Sequence, residues 1–135
     1  MDLDRALSIS AAGMAAQSTR LRVVAENIAN RDSTGQSPGA EPYRRKTITF
    51  DNRLDRALGA STVRIGRIGT ARGGFPEQFD PSHPAADARG YVRRPNVDSL
   101  IETMDMREAQ RSYSANLSVL ETTRGMLTRA IEALR

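Results

Sequence analysis

The last forty residues, Asn96 to Arg135, constrain this chain most, because they read as one long helix built to be gripped by other helices. Met106, Tyr113, Leu120, Leu127 and Leu134 recur every seven residues, and Ala109, Leu117, Ala130 and Ile131 fill the three/four offsets between them. Arg107, Glu108, Arg111, Glu121, Arg124, Arg129 and Glu132 occupy the other faces, where charges sit in water or pair with a neighbouring helix. Periodicity alone fits equally a helix packed on the core of its own subunit and one gripped by helices of other subunits.

The opposite end repeats the pattern. Leu3 to about Asn30 reads as a helix capped by Asp2 or Asp4, with Leu7, Met14, Leu21 and Ile28 spaced by seven and Leu3 and Val24 extending that face. Its flank is small: Ala11, Ala12, Gly13, Ala15 and Ala16 admit another helix closely, although Gly13 weakens the isolated helix by about 1 kcal/mol relative to Ala. The economical architecture packs the two terminal helices together or against copies in other subunits. A chain of 135 residues suits one domain by length, yet 39% hydrophobic content with three Phe, three Tyr and no Trp leaves few large core side chains. Much of its apolar surface must therefore be buried by partners.

Between the helices, residues 31–42 are rich in Asp, Ser, Thr, Gly and Pro and read as an irregular loop. Tyr43 to Phe50 and Thr62 to Ile68 carry short period-two signals, with Val63 and Ile65 on one face and Arg64 on the other. Asp51 to Leu58 suits either a helical turn or a continued strand. Gly73-Gly74, Pro76, Pro81 and Pro84 then break regular structure until Tyr91-Val92. The expected fold is mainly α with a small β-rich middle: an N-terminal helix over 1–30, a loop and β-rich segment over 31–95, and a C-terminal helix over 96–135.

Several chemistries are excluded by composition. Without cysteine there is no disulfide framework and no thiolate metal site. His83, the only histidine, lies between Asp80 and Asp87 with no second nitrogen ligand, so it reads as a loop histidine and no metal is assigned. Gly73-Gly74 lacks the lysine and hydroxyl of a phosphate loop. No nucleophile–base set is recognisable, so no catalytic or cofactor-binding residue is assigned and an enzyme is not expected. The net charge of +4 is carried by arginine, Lys46 being the only lysine. These arginines are interspersed with acidic residues, which argues against a nucleic-acid surface. No apolar run is long enough for a transmembrane helix, and Asp2 and Asp4 stand where a secretory signal would be positive.

Particular residues carry a resemblance. Ala25-Glu26-Asn27-Ile28-Ala29-Asn30, closing the first helix, resembles the Asn-x-Ala-Asn signature of bacterial flagellar rod and hook axial proteins, as does Arg111-Ser112-Tyr113-Ser114-Ala115-Asn116-Leu117 followed by Leu120. Pro42 to Lys46, and Asp80-Pro81 through His83-Pro84, Ala88 to Val92 and Pro95-Asn96-Val97, resemble the proximal-rod members of that family. The family's Asn-Thr-x-Gly-Tyr after the signature is replaced here by the longer loop from Arg31 to Pro42. The resemblance implies a basal-body subunit exported unfolded by the flagellar type III apparatus without a cleaved signal and assembled in the periplasm. It also implies a hollow tube in which terminal helices pack as coiled coils, with other copies, other rod proteins and inner-membrane ring or export-gate components as partners. The alternative is a soluble helical adaptor binding acidic partners.

Physical chemistry then suggests roles for these residues. Asn27 and Asn30 share a helical side, and their amides suit backbone groups of the following loop or of a neighbouring subunit. For Asn30 a left-handed helix cap is an equal alternative. Tyr113 suits either core or an interface anchor, and Asn116 needs a polar partner if buried. The expected assembly interface is Leu7, Met14, Leu21, Asn27, Ile28 and Asn30 on the first helix, with Met106, Tyr113, Asn116, Leu117, Leu120, Leu127 and Ile131 on the second.

Overall fold

A computed structural model describes residues 2–135. Helix α1 spans Leu3–Ala29, strand β1 Lys46–Asp55, β2 Ala60–Thr70, β3 Glu77–Phe79, β4 Tyr91–Arg93 and helix α2 Ser99–Ala133. The strands form two separate two-stranded sheets, β1 with β2 and β3 with β4. The mainly helical chain with a β-rich middle that the patterns predict is what forms.

Each helix starts where a carboxylate can satisfy its free N–H groups. Asp2 Oδ1 accepts the Arg5 N–H at 3.3 Å, which selects Asp2 over Asp4 as the cap of α1. Asp98 Oδ1 accepts the N–H of Leu100 at 2.9 Å and of Ile101 at 3.4 Å, so α2 begins at Ser99 and not at Asn96.

The chain divides into two compact units. The first combines the residues through Leu21 with Ile48–Arg67 and Arg107–Arg135. In it the helices run antiparallel: Leu3 and Ala6 line a groove with Val119, Thr122, Thr123 and Met126, Gly13 meets Asn116, and Arg20 donates to Glu108 at 3.4 Å. The buried residues of the helices in this unit are small, namely Ser10, Gly13 and Ala16 on α1 and Ala109 and Thr123 on α2. The small flank predicted to admit another helix does so, and the visitor is this chain's own α2. A Cβ on Gly13 would fall 3.0 Å from the Asn116 carboxamide, so the helices are as close as their side chains allow. Asn116 donates to Ser112 O at 2.9 Å and Thr123 to Val119 O at 2.8 Å, which satisfies these polar groups within α2 itself.

The same unit holds most of the β1–β2 hairpin, and the undecided stretch from Asp51 to Leu58 resolves here. β1 continues to Asp55, whose Oδ1 accepts the N–H groups of Ala57 and Leu58 at 2.9 and 3.3 Å, and Gly59 closes the turn at φ +59°.

The second unit combines Arg22–Thr47 with Ile68–Met106. Its buried apolar residues are Val23, Val24, Ala85 and Val92. β3 lies in the stretch expected to be irregular, because three residues suffice to pair: Glu77 faces Arg93, Gln78 faces Val92 and Phe79 faces Tyr91 in antiparallel register. Bonds from Asp80 N to Gly90 O and from Arg94 N to Pro76 O extend this ladder. A proline-rich context hid it from period-two reading. The loop over 31–42 is irregular as predicted and closes on itself through the Tyr43 N–H to Ser33 O bond of 2.9 Å. It is pinned by Arg94 to Asp32 at 2.9 Å and by Thr34 Oγ1 to His83 Nε2 at 3.0 Å. Because His83 Nδ1 accepts the Ala85 N–H at 3.0 Å, its neutral ring donates from Nε2 to Thr34, and His83 acts as a loop tie.

The tight seam makes a direct prediction. Gly13→Leu forces the helices apart and should lower stability by roughly 1–3 kcal/mol, whereas Gly13→Ala, whose helix propensity gain of about 1 kcal/mol offsets a small shift of Asn116, should stay close to wild type. Urea unfolding followed by circular dichroism measures both, and equal midpoints for Gly13→Leu and wild type would contradict the close approach.

Candidate functional site

The signature residue Asn27 is the centre of a buried polar cluster in the second unit. At 1% exposure its carboxamide uses every hydrogen-bonding position. Nδ2 donates to Lys46 O at 2.9 Å and to Glu102 Oε2 at 3.3 Å, while Oδ1 accepts the Tyr43 hydroxyl at 2.8 Å and the Lys46 N–H at 2.9 Å. Asn27 thus acts as an extra strand edge for Lys46, bonding both its N–H and its carbonyl. Glu102, with 0% exposure, pairs with Arg45 Nε, and Arg45 reaches Asp105 at 3.5 Å through its other nitrogen. Asn96 Oδ1 accepts the Arg45 N–H at 2.8 Å. The cluster therefore draws together the end of α1, the start of β1 and the first turns of α2. Burial pushes the Tyr43 hydroxyl above its ordinary 10.0, so it stays a donor to Asn27 through the neutral range.

Asn30 does not take the left-handed conformation that the sequence offered as one alternative, since no described non-glycine residue has a positive φ. Its Nδ2 donates back to Glu26 O at 2.8 Å and its Oδ1 accepts Ser33 Oγ at 3.1 Å, which shapes the exit from α1. Lys46 closes the cluster's outer side on Glu26 at 2.8 Å. The hydrogen bond from Lys46, assisted by Arg22 and opposed by burial, holds the Glu26 carboxyl below 4.5, and the same contact raises Lys46 above 10.5. Sequence reasoning singled out Asn27 but missed Tyr43, Lys46 and Glu102 as its partners, since they lie up to 75 positions away.

The apolar stripes occupy a different position on the helices. Leu7, Met14, Leu21 and Ile28 are only half-buried, as are Met106, Tyr113, Leu120 and Leu127, whereas Leu117 and Ile131 are 37% and 53% exposed. On α1 the full burial falls on Ser10, Gly13, Ala16, Val23, Val24 and Asn27, so of the predicted stripe face only Val24 is fully covered. Among the described residues no group of His, Cys, Asp and Glu could hold a metal ion, and no helix is long and apolar enough to cross a membrane.

Half-open apolar stripes on both terminal helices, a sparse core and a signature amide fully engaged inside the subunit are the features of a structural protein of the axial type. Two family models match: "Flagella basal body rod protein" over residues 7–35 and "Flagellar basal body rod FlgEFG protein C-terminal" over residues 88–133. The chain is 51% identical to the flagellar basal-body rod protein FlgC of Agrobacterium fabrum, across 98% of this chain and 96% of that one. It is 38% identical to FlgC of Salmonella typhimurium over 97% of each chain, and 36% identical to FlgC of Bacillus subtilis over 93% of this chain and 94% of the relative. The chain belongs to the FlgC family of flagellar basal-body rod proteins, whose members are structural subunits and not enzymes.

Two predictions concern the cluster. Asn27→Ala leaves the Lys46 N–H, the Lys46 carbonyl and the Tyr43 hydroxyl without partners and should cost at least about 2 kcal/mol; Asn27→Asp should do no better, because it turns a donor facing Glu102 into an acceptor. Chemical denaturation of both variants checks this, and wild-type stability in either would be inconsistent with the network. The Glu26–Lys46 pair sets a pH window. Glu26 contributes fully above 4.5 and loses its contribution as pH falls through its depressed value, while that of Lys46 is full below 10.5 and is lost as pH rises through its raised value. The stability difference between wild type and Glu26→Gln should hold steady from neutral to mildly alkaline pH and shrink in acid, as read from denaturation midpoints across a pH series.

Proposed function

We propose that this chain is a structural subunit of the flagellar proximal rod, polymerising with copies of itself and with other rod proteins into a hollow drive shaft. In this reading the rod links the inner-membrane ring and export gate at its base to the distal rod, transmits torque and encloses the export channel. The terminal segments, 1–30 and 96–135, form the axial layer and residues 31–95 a small outer region. The subunit reaches the periplasm through the type III apparatus without a cleaved signal.

The observation that carries this reading is the half-open pair of stripes. Leu7, Met14, Leu21 and Ile28 on α1, and Met106, Tyr113, Leu117, Leu120, Leu127 and Ile131 on α2, keep apolar surface that the intramolecular seam does not cover. Burying it against neighbouring helices is favourable by roughly 25 cal/mol per Å². Contacts that repeat head to tail without closing generate a helical filament. Asn27 and Asn30 support the interface by fixing where α1 ends.

The test uses the exposed members of the stripe, since they can be changed without opening the seam. Leu117→Asp and Ile131→Asp should be exported and folded yet abolish rod formation and motility, because docking would bury an unpaired carboxylate at a cost of several kcal/mol. Glu121→Lys, an exposed charge change, should have little effect. Leu120→Asp, half-buried in the free subunit, should lower monomer stability as well as assembly. Normal rods from cells carrying only Leu117→Asp and Ile131→Asp would rule out the stripe as the assembly surface.

A further inference from the structure

The β1–β2 hairpin carries four arginines within fifteen residues. Arg5 lies 3.9 Å from Asp2, and Arg20 reaches Glu108 at 3.4 Å. On the hairpin Arg53, Arg56, Arg64 and Arg67 are all exposed, and none pairs with a carboxylate among the described residues. Of the two hairpin aspartates, one is committed to the turn and the other lies over the neighbouring strand. Asp55 Oδ1 accepts the Ala57 and Leu58 N–H groups, and the Asp51 carboxylate fills the space over Gly66 where a Cβ would stand. Four solvated guanidinium groups thus share a single hairpin with only two carboxylates.

Apolar side chains are left open beside them. Phe50 is 38% and Leu54 63% exposed. The sheet has only two strands, so each presents an outer edge of backbone N–H and C=O groups to which another strand can add. An isolated two-stranded sheet is marginal in water, and a third strand would stabilise it.

From these observations we infer that the β1–β2 hairpin docks an acidic, extended segment of another protein, its carboxylates meeting Arg53, Arg56, Arg64 and Arg67 and its apolar residues covering Phe50 and Leu54. Arginine's planar fork pairs carboxylates bidentately, and arginine beside an aromatic is the composition of protein interfaces. A phosphate polymer or lipid headgroup layer would use the charge but leave Phe50 and Leu54 unexplained. A second copy of the same hairpin is disfavoured because like charges would face one another. This inference is separate from assembly through the helix stripes, and either can fail alone.

The test uses the full-length subunit and four probes: a fluorescent decapeptide alternating Glu and Val, its Lys–Val counterpart, dioleoylphosphatidylglycerol vesicles and a single-stranded DNA 20-mer. The Glu–Val peptide should bind in a salt-sensitive way and the Lys–Val peptide should not. The double variants Arg53→Glu/Arg56→Glu and Arg64→Glu/Arg67→Glu should each weaken binding at least about tenfold while circular dichroism and denaturation midpoint stay unchanged. Phe50→Ser, which keeps all charges, should weaken it as well. The inference is overturned if the acidic peptide does not bind, or if Arg107→Glu/Arg111→Glu on α2 weakens binding as much as the hairpin variants do. It is equally overturned if vesicles or DNA bind more tightly than the peptide and Phe50→Ser leaves binding intact, which would mark a general anion surface.

Discussion

The four hydrogen bonds of the Asn27 carboxamide are the constraint on which the second unit depends. A buried amide is costly unless both its donor hydrogens and its acceptor lone pairs are used, and here all are. Because the partners are the backbone of Lys46, the hydroxyl of Tyr43 and the carboxylate of Glu102, satisfying one side chain fixes the positions of three elements. Glu102 is itself tolerable at zero exposure only because Arg45 and Asn27 surround it. A shorter, longer or charged side chain at position 27 would break several of these bonds at once. The Asn-x-Ala-Asn signature is therefore a statement about backbone geometry at the end of α1, with Asn30 shaping the exit through Glu26 and Ser33.

The first unit is held in a contrasting way. Its helices bury Ser10, Gly13 and Ala16 on α1 and Ala109 and Thr123 on α2, residues that contribute little apolar area each but allow close approach. Using small residues for the intramolecular contact spares the leucines and methionines. A subunit that buried Leu7, Met14, Leu21, Leu120 and Leu127 fully in itself would have a better core and less apolar surface for neighbours. Leaving them half-covered balances a folded subunit against one with surface to spare for assembly, a division of labour suited to the structural subunits of this family.

Several features are legible in the sequence because they depend on local pattern. The seven-residue spacing predicts both helices to within a few residues, since apolar periodicity reflects backbone geometry directly. Thr47 to Phe50 and Thr62 to Ile68 announce strands by alternation. β3 is not legible: Glu77–Phe79 has no alternation of its own and is a strand only because Tyr91–Arg93 lies beside it. Asp51 to Leu58 is ambiguous for a similar reason, its character depending on whether the Asp55 side chain caps a turn, which it does.

What the sequence by itself determined, then, is the periodicity of each element, the absence of thiol chemistry and the family to which the signature segments belong. Tertiary structure decided which face of each helix is buried. Period and composition set the phase of an apolar stripe, but burial follows from what approaches, and Gly13 meeting Asn116 draws α2 onto the small flank of α1 beside its leucines. Tertiary structure likewise decided the job of Asn27. A carboxamide has the same donors and acceptors in any sequence, and only folding brings Tyr43, Lys46 and Glu102 to within hydrogen-bonding distance of them.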